Sequence, residues 1–311
     1  MTTKNTVAIL IPCYNEEPTI ASVVACFHQT LPEAVIYVYD NNSKDHTAEV
    51  ARAAGALVRS ESLQGKGNVV RRMFADIEAE VYVLVDGDAT YDAASAPGMI
   101  QLLRDNQLDM VNGARVSGIK EAYRPGHRFG NWLLSSIVAW TFGNRIKDML
   151  SGYRIFSRRY VKSFPSLAVG FEIETELTIH ALHLRMPLIE VETPYKDRPS
   201  GSISKLSTYR DGLRILWKIL VFIKEEKPMA FFSLIALAFC CASVILALPI
   251  LQEYIATGLV PRLPTAVLSM GMMTIAFLSL ACGLILDTVT RGRSEMKRMR
   301  YLSTPAAPLS S

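Results

Sequence analysis

Two carboxylates one residue apart, Asp86 and Asp88, follow the apolar run Val81–Val85 with only Gly87 between them. Aspartates offer hard oxygen ligands of the kind magnesium or manganese takes, and such an ion usually keeps coordination places for phosphate oxygens. An Asp-Gly turn leaving a strand is the plainer account of the same residues. Two more polar clusters follow short apolar runs in the same way: Pro12-Cys13-Tyr14-Asn15-Glu16 after Val7–Ile11, and Asp40-Asn41-Asn42-Ser43 after Val35–Tyr39. Gln64-Gly65-Lys66-Gly67-Asn68 adds a flexible basic turn where a helical pattern starts, a place suited to anions. It lacks the GxxxxGK[ST] spacing of a Walker loop. No GxGxxG follows the first strand either, which disfavours a dinucleotide redox enzyme.

These clusters need a scaffold, and the chain around them alternates strand and helix. Helices are expected at Glu17–Thr30, with Pro18 in the first turn, at Asp45–Ala54, closed by Gly55, and at Lys66–Glu78, with Val69, Val70, Met73 and Ile77 as its apolar face. A third strand is expected at Ala56–Arg59. Repeated βαβ units imply an α/β fold with a mainly parallel sheet and right-handed crossovers. The polar clusters then share one rim, where open α/β sheets bind ligands. Asp40 and its asparagine neighbours suit a base edge and a ribose hydroxyl. Asp86 suits the ribose or a metal, and Asp88 a metal bridging two phosphates. Further on, a helix is expected at Phe171–Arg185, with Glu172, Glu174 and Glu176 near its positive end, and a strand at Leu188–Thr193. Those glutamates either touch sugar hydroxyls or are solvated.

Ile11-Pro12-Cys13-Tyr14-Asn15-Glu16-Glu17, the Asp40-Asn-Asn-Ser43-x-Asp45-x-Thr47 turn and Asp86-Gly-Asp88 resemble family 2 glycosyltransferases of the GT-A fold. Asp148-Met-Leu-Ser151-Gly152-Tyr153-Arg154 and Arg198-Pro-Ser-Gly201-Ser-Ile-Ser204-Lys205 are similar to the polyprenyl-phosphate branch, which includes dolichol-phosphate mannose synthases and bactoprenol glucosyltransferases. The resemblance implies inverting transfer of a sugar from a nucleotide-sugar donor to a lipid phosphate. By motif, Pro12, Tyr14, Glu16 and Asp40 hold the nucleoside, with Asn15, Asn41, Lys66 and Gly87 in the same donor pocket. Asp86 and Asp88 hold Mg²⁺ or Mn²⁺ on the diphosphate, and Arg198 and Lys205 contact donor phosphate. Arg115 and Arg128 clamp the acceptor phosphate. Asn41 and Thr90 stand where relatives often carry an Asp and an amide, so base and sugar preference can differ. A phosphate monoester has a second pKa near 6 and is already nucleophilic at neutral pH, so positioning and charge relief matter more than a strong base. Asp148 is the alternative base, though its turn is better read as ordering the acceptor loop.

Beyond Lys227 the composition changes. Met229–Leu251 and Thr265–Leu286 lack a polar face, and each exceeds the roughly 20 residues needed to cross a bilayer. Lys218, Lys224 and Lys227 precede the first span. Arg291, Arg293, Lys297, Arg298 and Arg300 follow the second, while the connecting loop carries only Arg262 against Glu253. Both ends are therefore expected in the cytoplasm, beneath an inner (plasma) membrane crossed by two helices. The expected organisation is a catalytic domain over 1–209, a juxtamembrane amphipathic helix over 210–228, a transmembrane hairpin over 229–287 and a basic tail over 288–311. Within the first, the aromatic segment 120–147, with Trp132 and Trp140 and basic flanks, suits a membrane interface. The net charge of +4 clusters beside the spans, which argues against nucleic acid as a partner. Ser269, Gly271 and Ala281-Cys282-Gly283 offer packing positions for self-association. The five cysteines form no CxxC and fit a reduced compartment. His180 and His183 are expected to be satisfied or exposed on a helix.

UDP-hexose is the favoured donor and undecaprenyl phosphate the favoured acceptor, with a GDP-mannose-dependent enzyme as the alternative. A processive synthase would need a Gln-x-x-Arg-Trp motif, whereas Trp217 lies in Arg214-Ile-Leu-Trp217. A non-catalytic nucleotide-sugar-binding scaffold has no use for a complete phosphate and metal set.

Overall fold

The computed structural model describes residues 6–116, 146–165, 170, 172–196, 221, 224–225 and 227–305. Arg128, Arg198, Lys205, nearly all of the 120–147 segment and most of the 210–228 helix lie outside them. The chain divides into two compact units. One runs to Gly212 and takes back the segment from Lys297, and the other is Leu213–Met296.

The first unit is built on a seven-stranded sheet. Its strands are β1 (Val7–Cys13), β2 (Val35–Asp40), β3 (Leu57–Ser60), β4 (Val81–Leu84), β5 (Met110–Val116), β6 (Arg154–Ser157) and β7 (Leu188–Pro194), in the order β3-β2-β1-β4-β6-β5-β7. The first four are mutually parallel, as the βαβ pattern requires, and β5 pairs parallel with β7. Only β6 runs the other way, wedged between β4 and β5. Because β6 is antiparallel, the residues just before it reach the same rim as the residues just after β1, β2, β4 and β5.

Among the described residues the sheet is flanked by α1 (Glu17–Thr30), α2 (Thr47–Ala53), α3 (Lys66–Asp76), α4 (Ala96–Asp105) and α5 (Arg158–Ser163). The helix α6 (Ile173–His183) precedes β7. Helix α2 begins two residues later than the composition suggests. Asp45 instead accepts from the Thr47 N–H at 3.1 Å and its hydroxyl at 2.5 Å, an Asx turn that competes with helix. Ile9, Leu10, Ile11, Ile20, Val24, Val38, Val83 and Ile155 are fully buried and form the core between sheet and helices. Burying such side chains stabilises by about 1.5–3 kcal/mol each, against the entropy of ordering them.

His180 is buried, its Nε2 3.1 Å from Ser163 Oγ, with Tyr160 and Phe164 edge-on against the ring. The returning C-terminal segment is seated on Asp109, which is fully buried. Its carboxylate accepts from Ser157 Oγ, Arg159 Nε and Tyr301 Oη at 2.6, 2.6 and 2.7 Å, and the Arg159 guanidinium lies 4.9 Å from the Tyr301 ring centre.

The second unit contains α7 (Pro228–Thr257), which ends on left-handed Gly258, and most of α8 (Leu263–Leu302). Both are long and apolar enough to cross a membrane, and most of their side chains are exposed, Ile245 and Phe277 among them. The two helices fit membrane association. Ser243 Oγ donates to the Ser269 carbonyl at 2.7 Å and Ser269 Oγ to the Ser243 carbonyl at 3.0 Å, so their buried hydroxyls satisfy each other. Phe232 and Met229 close over Gly283, where a Cβ would meet Phe232 Cβ at 3.1 Å.

Candidate active site

The rim begins where β1 and β2 end. The two turns are laced together: Asn15 N–H donates to Ser43 Oγ at 2.9 Å, Lys44 N–H to Asn15 Oδ1 at 2.8 Å, and Glu16 N–H to Thr47 Oγ1 at 2.9 Å. Asn15 is left-handed at φ 52°, a conformation asparagine tolerates better than most residues. Pro12 is buried within β1 and Tyr14 half-buried just beyond it. Asp40 closes β2. Its Oδ2 accepts from the Ser43 N–H at 3.2 Å, while its buried Oδ1 has no hydrogen-bond partner among the described residues. A buried carboxylate oxygen left unpaired is costly, and a ligand donor is one way to satisfy it.

Asn41 stands differently from its neighbour. Its amide donates to the Glu61 and Leu63 carbonyls at 2.9 and 2.8 Å, and its Oδ1 accepts from the Gly65 N–H at 2.7 Å. Asn41 thus braces the loop that leads into Lys66.

Beyond β4, the Asp86-Gly87-Asp88 turn is held from below by Thr19, whose hydroxyl donates to the Gly87 carbonyl at 2.7 Å. A Cβ on Gly87 would lie 2.8 Å from Cys13 Sγ, so the turn needs glycine for space. Asp88 is buried, and its Oδ1 accepts from the Thr90 hydroxyl at 2.6 Å. Ala89 between them is left-handed at φ 58°, a strain of order 1–2 kcal/mol that the turn absorbs.

Lys66, at the first turn of α3, reaches across to two acids. Its Nζ is 2.5 Å from Asp86 Oδ1 and 2.5 Å from Glu174 Oε1 on α6. Burial works against the ammonium, yet the two carboxylates outweigh it and hold the Lys66 pKa above its usual value. Glu174 is buried, and its second oxygen has no hydrogen-bond partner among the described residues. The other oxygen of Asp86 abuts Gly152, where a Cβ would sit 2.5 Å from Oδ2.

A second charged group lies between β5 and the chain entering β6. Arg115 grips Asp148 with Nε to Oδ2 and Nη2 to Oδ1, both 2.8 Å, and its own backbone N–H reaches Oδ2 at 3.1 Å. Burial would raise the Asp148 pKa, but these hydrogen bonds and the guanidinium charge hold it below the usual carboxylate range. The Arg115 guanidinium lies 5.6 Å from the centre of the Tyr195 ring. Glu190 of β7 secures the turn from behind, accepting from the Lys147 and Asp148 backbone N–H groups at 3.0 and 3.1 Å and from Asn112 Nδ2 at 2.9 Å.

The intervening Ser-Gly-x-Arg turn supports itself. Ser151 donates to the Gly113 carbonyl, and Gly152 N–H to Tyr91 Oη at 2.8 Å. Fully buried Arg154 donates to the Ser151 and Met149 carbonyls at 2.9 and 2.6 Å and to Thr178 Oγ1 at 2.7 Å. Burial lowers its pKa, opposed by Tyr160 and by the charges of Glu174 and Asp148, while the three hydrogen bonds satisfy its donors.

The structure therefore joins Asp86, Lys66 and Glu174, and joins Arg115 to Asp148. Glu174 and Glu190 are the functional candidates that single-residue reading does not isolate. Among the described residues no group of three or more His, Cys, Asp or Glu side chains forms a ready-made metal cage.

Residues 8–164, half of the chain, match the model of glycosyl transferase family 2. The chain belongs to glycosyl transferase family 2. This glycosyltransferase is 33% identical to glycosyltransferase AglJ of Haloferax volcanii over 97% of the chain and 100% of that protein. It is 27% identical to a dolichyl-phosphate hexose transferase of the same organism, over 71% of the chain and 95% of the relative. The glycosyltransferase also shares its fold with glucosyl-3-phosphoglycerate synthase from Mycobacterium tuberculosis, solved in complex with Mn²⁺ and UDP-glucose. The TM-score is 0.58 at 21% identity, covering 71% of this chain and 79% of that one.

Proposed function

We propose that the protein is a membrane-anchored inverting glycosyltransferase that moves a hexose from a nucleotide-sugar, UDP-hexose in first place, to a polyprenyl phosphate such as undecaprenyl phosphate. The observation that carries this reading is the convergence of Asp40, Lys66, Asp86 and Asp88 on one sheet rim. That a relative bears the name dolichyl-phosphate hexose transferase supports a polyprenyl phosphate as acceptor.

Asp40 Oδ1 receives a donor group of the base. Asp86 and Asp88 hold a divalent ion: the donor set is anionic and all oxygen, and Lys66 offsets only part of its charge. The remaining coordination places of such an ion would be open to donor oxygens, as in a site that is not an all-protein cage. Mn²⁺ beside UDP-glucose in the mycobacterial fold relative supports both choices. When bound, the ion neutralises the leaving diphosphate.

Lys66 adds a fixed cation on the donor side. Arg115 lies on the acceptor side, oriented by Asp148, and orients the lipid phosphate while Asp148 stays an anion inside an ion pair. The support for an ordering role of Asp148, rather than a base, is that Arg115 engages both of its oxygens. The phosphate oxygen attacks the anomeric carbon, the carbon–oxygen bond to the diphosphate breaks, and the configuration inverts. Arg128, Arg198 and Lys205 complete the phosphate contacts in this reading. The basic flanks of the spans support a catalytic unit on the cytoplasmic side of an inner membrane.

Purified protein given Mg²⁺ or Mn²⁺, undecaprenyl phosphate and a panel of UDP- and GDP-sugars is expected to yield one polyprenyl-phospho-hexose by mass spectrometry. No lipid product with any donor refutes the assignment. Product from GDP-mannose alone moves it to the mannosyltransferase alternative.

A further inference from the structure

We propose that Glu174 is a positioning residue of the donor site: it retains the Lys66 ammonium when the donor diphosphate arrives, leaving Asp86 available to the ligand. The proposal rests on the donor pocket described above and assigns a task inside it.

Lys66 is shared, at equal distances, between a residue of the Asp-Gly-Asp turn and one on α6. The two acids are far apart in the chain and meet only through this lysine. If Asp86 were the sole partner, a ligand engaging Asp86 would have to break a buried ion pair and strand the ammonium, a change that costs several kcal/mol in a desolvated site. Glu174 removes that cost. The ammonium keeps one carboxylate throughout and exchanges the other for a phosphate oxygen. Ionised donors and acceptors make this a trade between bonds of similar strength.

Two observations fit this task better than a purely structural salt bridge. Lys66 is the first residue of α3, directly after Gly65, so the ammonium that Glu174 holds is carried by the helix end whose N–H groups favour anions. Glu174 is buried yet among the described residues uses only one oxygen, whereas a carboxylate placed for stability alone is expected to have its second oxygen satisfied.

The test uses full-length protein in detergent and measures UDP and uridine binding by calorimetry at several Mn²⁺ concentrations. Glu174→Gln keeps shape and removes the charge. It is expected to weaken UDP binding about tenfold, leave uridine binding unchanged, and raise the Mn²⁺ concentration needed for half-maximal UDP binding. Lys66→Ala should show the same UDP loss, and the double variant should add little to either, because the two residues act as one unit. Unchanged UDP binding in Glu174→Gln overturns the proposal and leaves the donor pocket standing. So does a full additive loss in the double variant, or an equal loss of UDP and uridine. If the wild-type protein binds neither UDP nor GDP, the donor pocket fails and the proposal falls with it. Glu174→Asp, which keeps the charge on a shorter arm, should recover part of the UDP affinity; recovery no better than with glutamine also counts against it.

Discussion

A single methyl group should disable the donor side of this enzyme. In Gly152→Ala the added carbon would sit 2.5 Å from Asp86 Oδ2 and 2.9 Å from its Cγ, far inside van der Waals contact. Retreat of Asp86 has a cost, because its Oδ1 is already 2.5 Å from Lys66. Nor does the turn slide easily: Gly152 N–H is tied to Tyr91 and Ser151 to the Gly113 carbonyl. Relief must come from rotating Asp86 away. That loses a charge-assisted hydrogen bond worth about 1.5–3 kcal/mol and adds overpacking strain of about 1–3 kcal/mol. Only the part felt by the bound donor enters kcat/KM, so a fall of about 10- to 100-fold is expected, with the donor KM raised and the acceptor KM little changed. Steady-state kinetics with each substrate varied in turn reads this directly. Gly98→Ala is the control: nothing lies within 4 Å of its added carbon, and it should be neutral or slightly stabilising. Wild-type donor kcat/KM in Gly152→Ala would refute the claim that Asp86 is caged between Lys66 and Gly152.

Asp88→Ala should abolish metal-dependent transfer while membrane insertion persists, checked by product formation and by membrane fractionation. Tyr301→Phe removes one of three donors to fully buried Asp109, and is expected to cost about 1–2 kcal/mol of catalytic-unit stability without changing donor KM; thermal unfolding and kinetics separate the two. His180 gives a pH signature. Burial first, then Lys297 and His183, lower its pKa from 6.5 to about 3, so the folded protein keeps it neutral while the unfolded chain takes up a proton below pH 6.5. Its contribution is therefore complete above pH 6.5 and is lost as pH falls toward 3. His180→Phe should flatten the acid side of a melting-temperature profile, and an unchanged acid slope would contradict this.

The parts legible from sequence were those where burial writes a simple pattern. Strands β1, β2 and β4 are short apolar runs that end in polar turns, and they place Asp40 and Asp86 on the rim without further help. The apolar spans are legible for the same reason. Strands β5 and β6 are not. Met110–Val116 is interrupted by Asn112 and Gly113, and Arg154–Ser157 opens on an arginine, which reads as solvent-facing. The rim engages the donors of both: Asn112 Nδ2 bonds to Glu190 and to the Asp148 carbonyl, and Arg154 bonds to the turn before it. Glu174 was legible as one of three acids near a helix start, with contact to sugar or to solvent both open. Its partnership with Lys66 spans 108 residues of sequence and exists only once the sheet has formed. Asn41 misled in the opposite direction, since an asparagine beside Asp40 reads as base recognition while its amide is spent on the Glu61–Gly65 loop.

The reversed direction of β6 has a consequence for how such enzymes diversify. Strand β5 arrives at the rim and β6 departs from it, so the stretch between Val116 and Ile146 leaves and rejoins the sheet at one place. Its two stems are stapled there by Arg115 and Asp148. The clamp ties the end of β5 to the chain entering β6 independently of the β4 turn that carries Asp86 and Asp88. Selection can thus act separately on the two halves of the rim, the Arg115–Asp148 clamp on one side and the Lys66–Asp86–Glu174 group on the other.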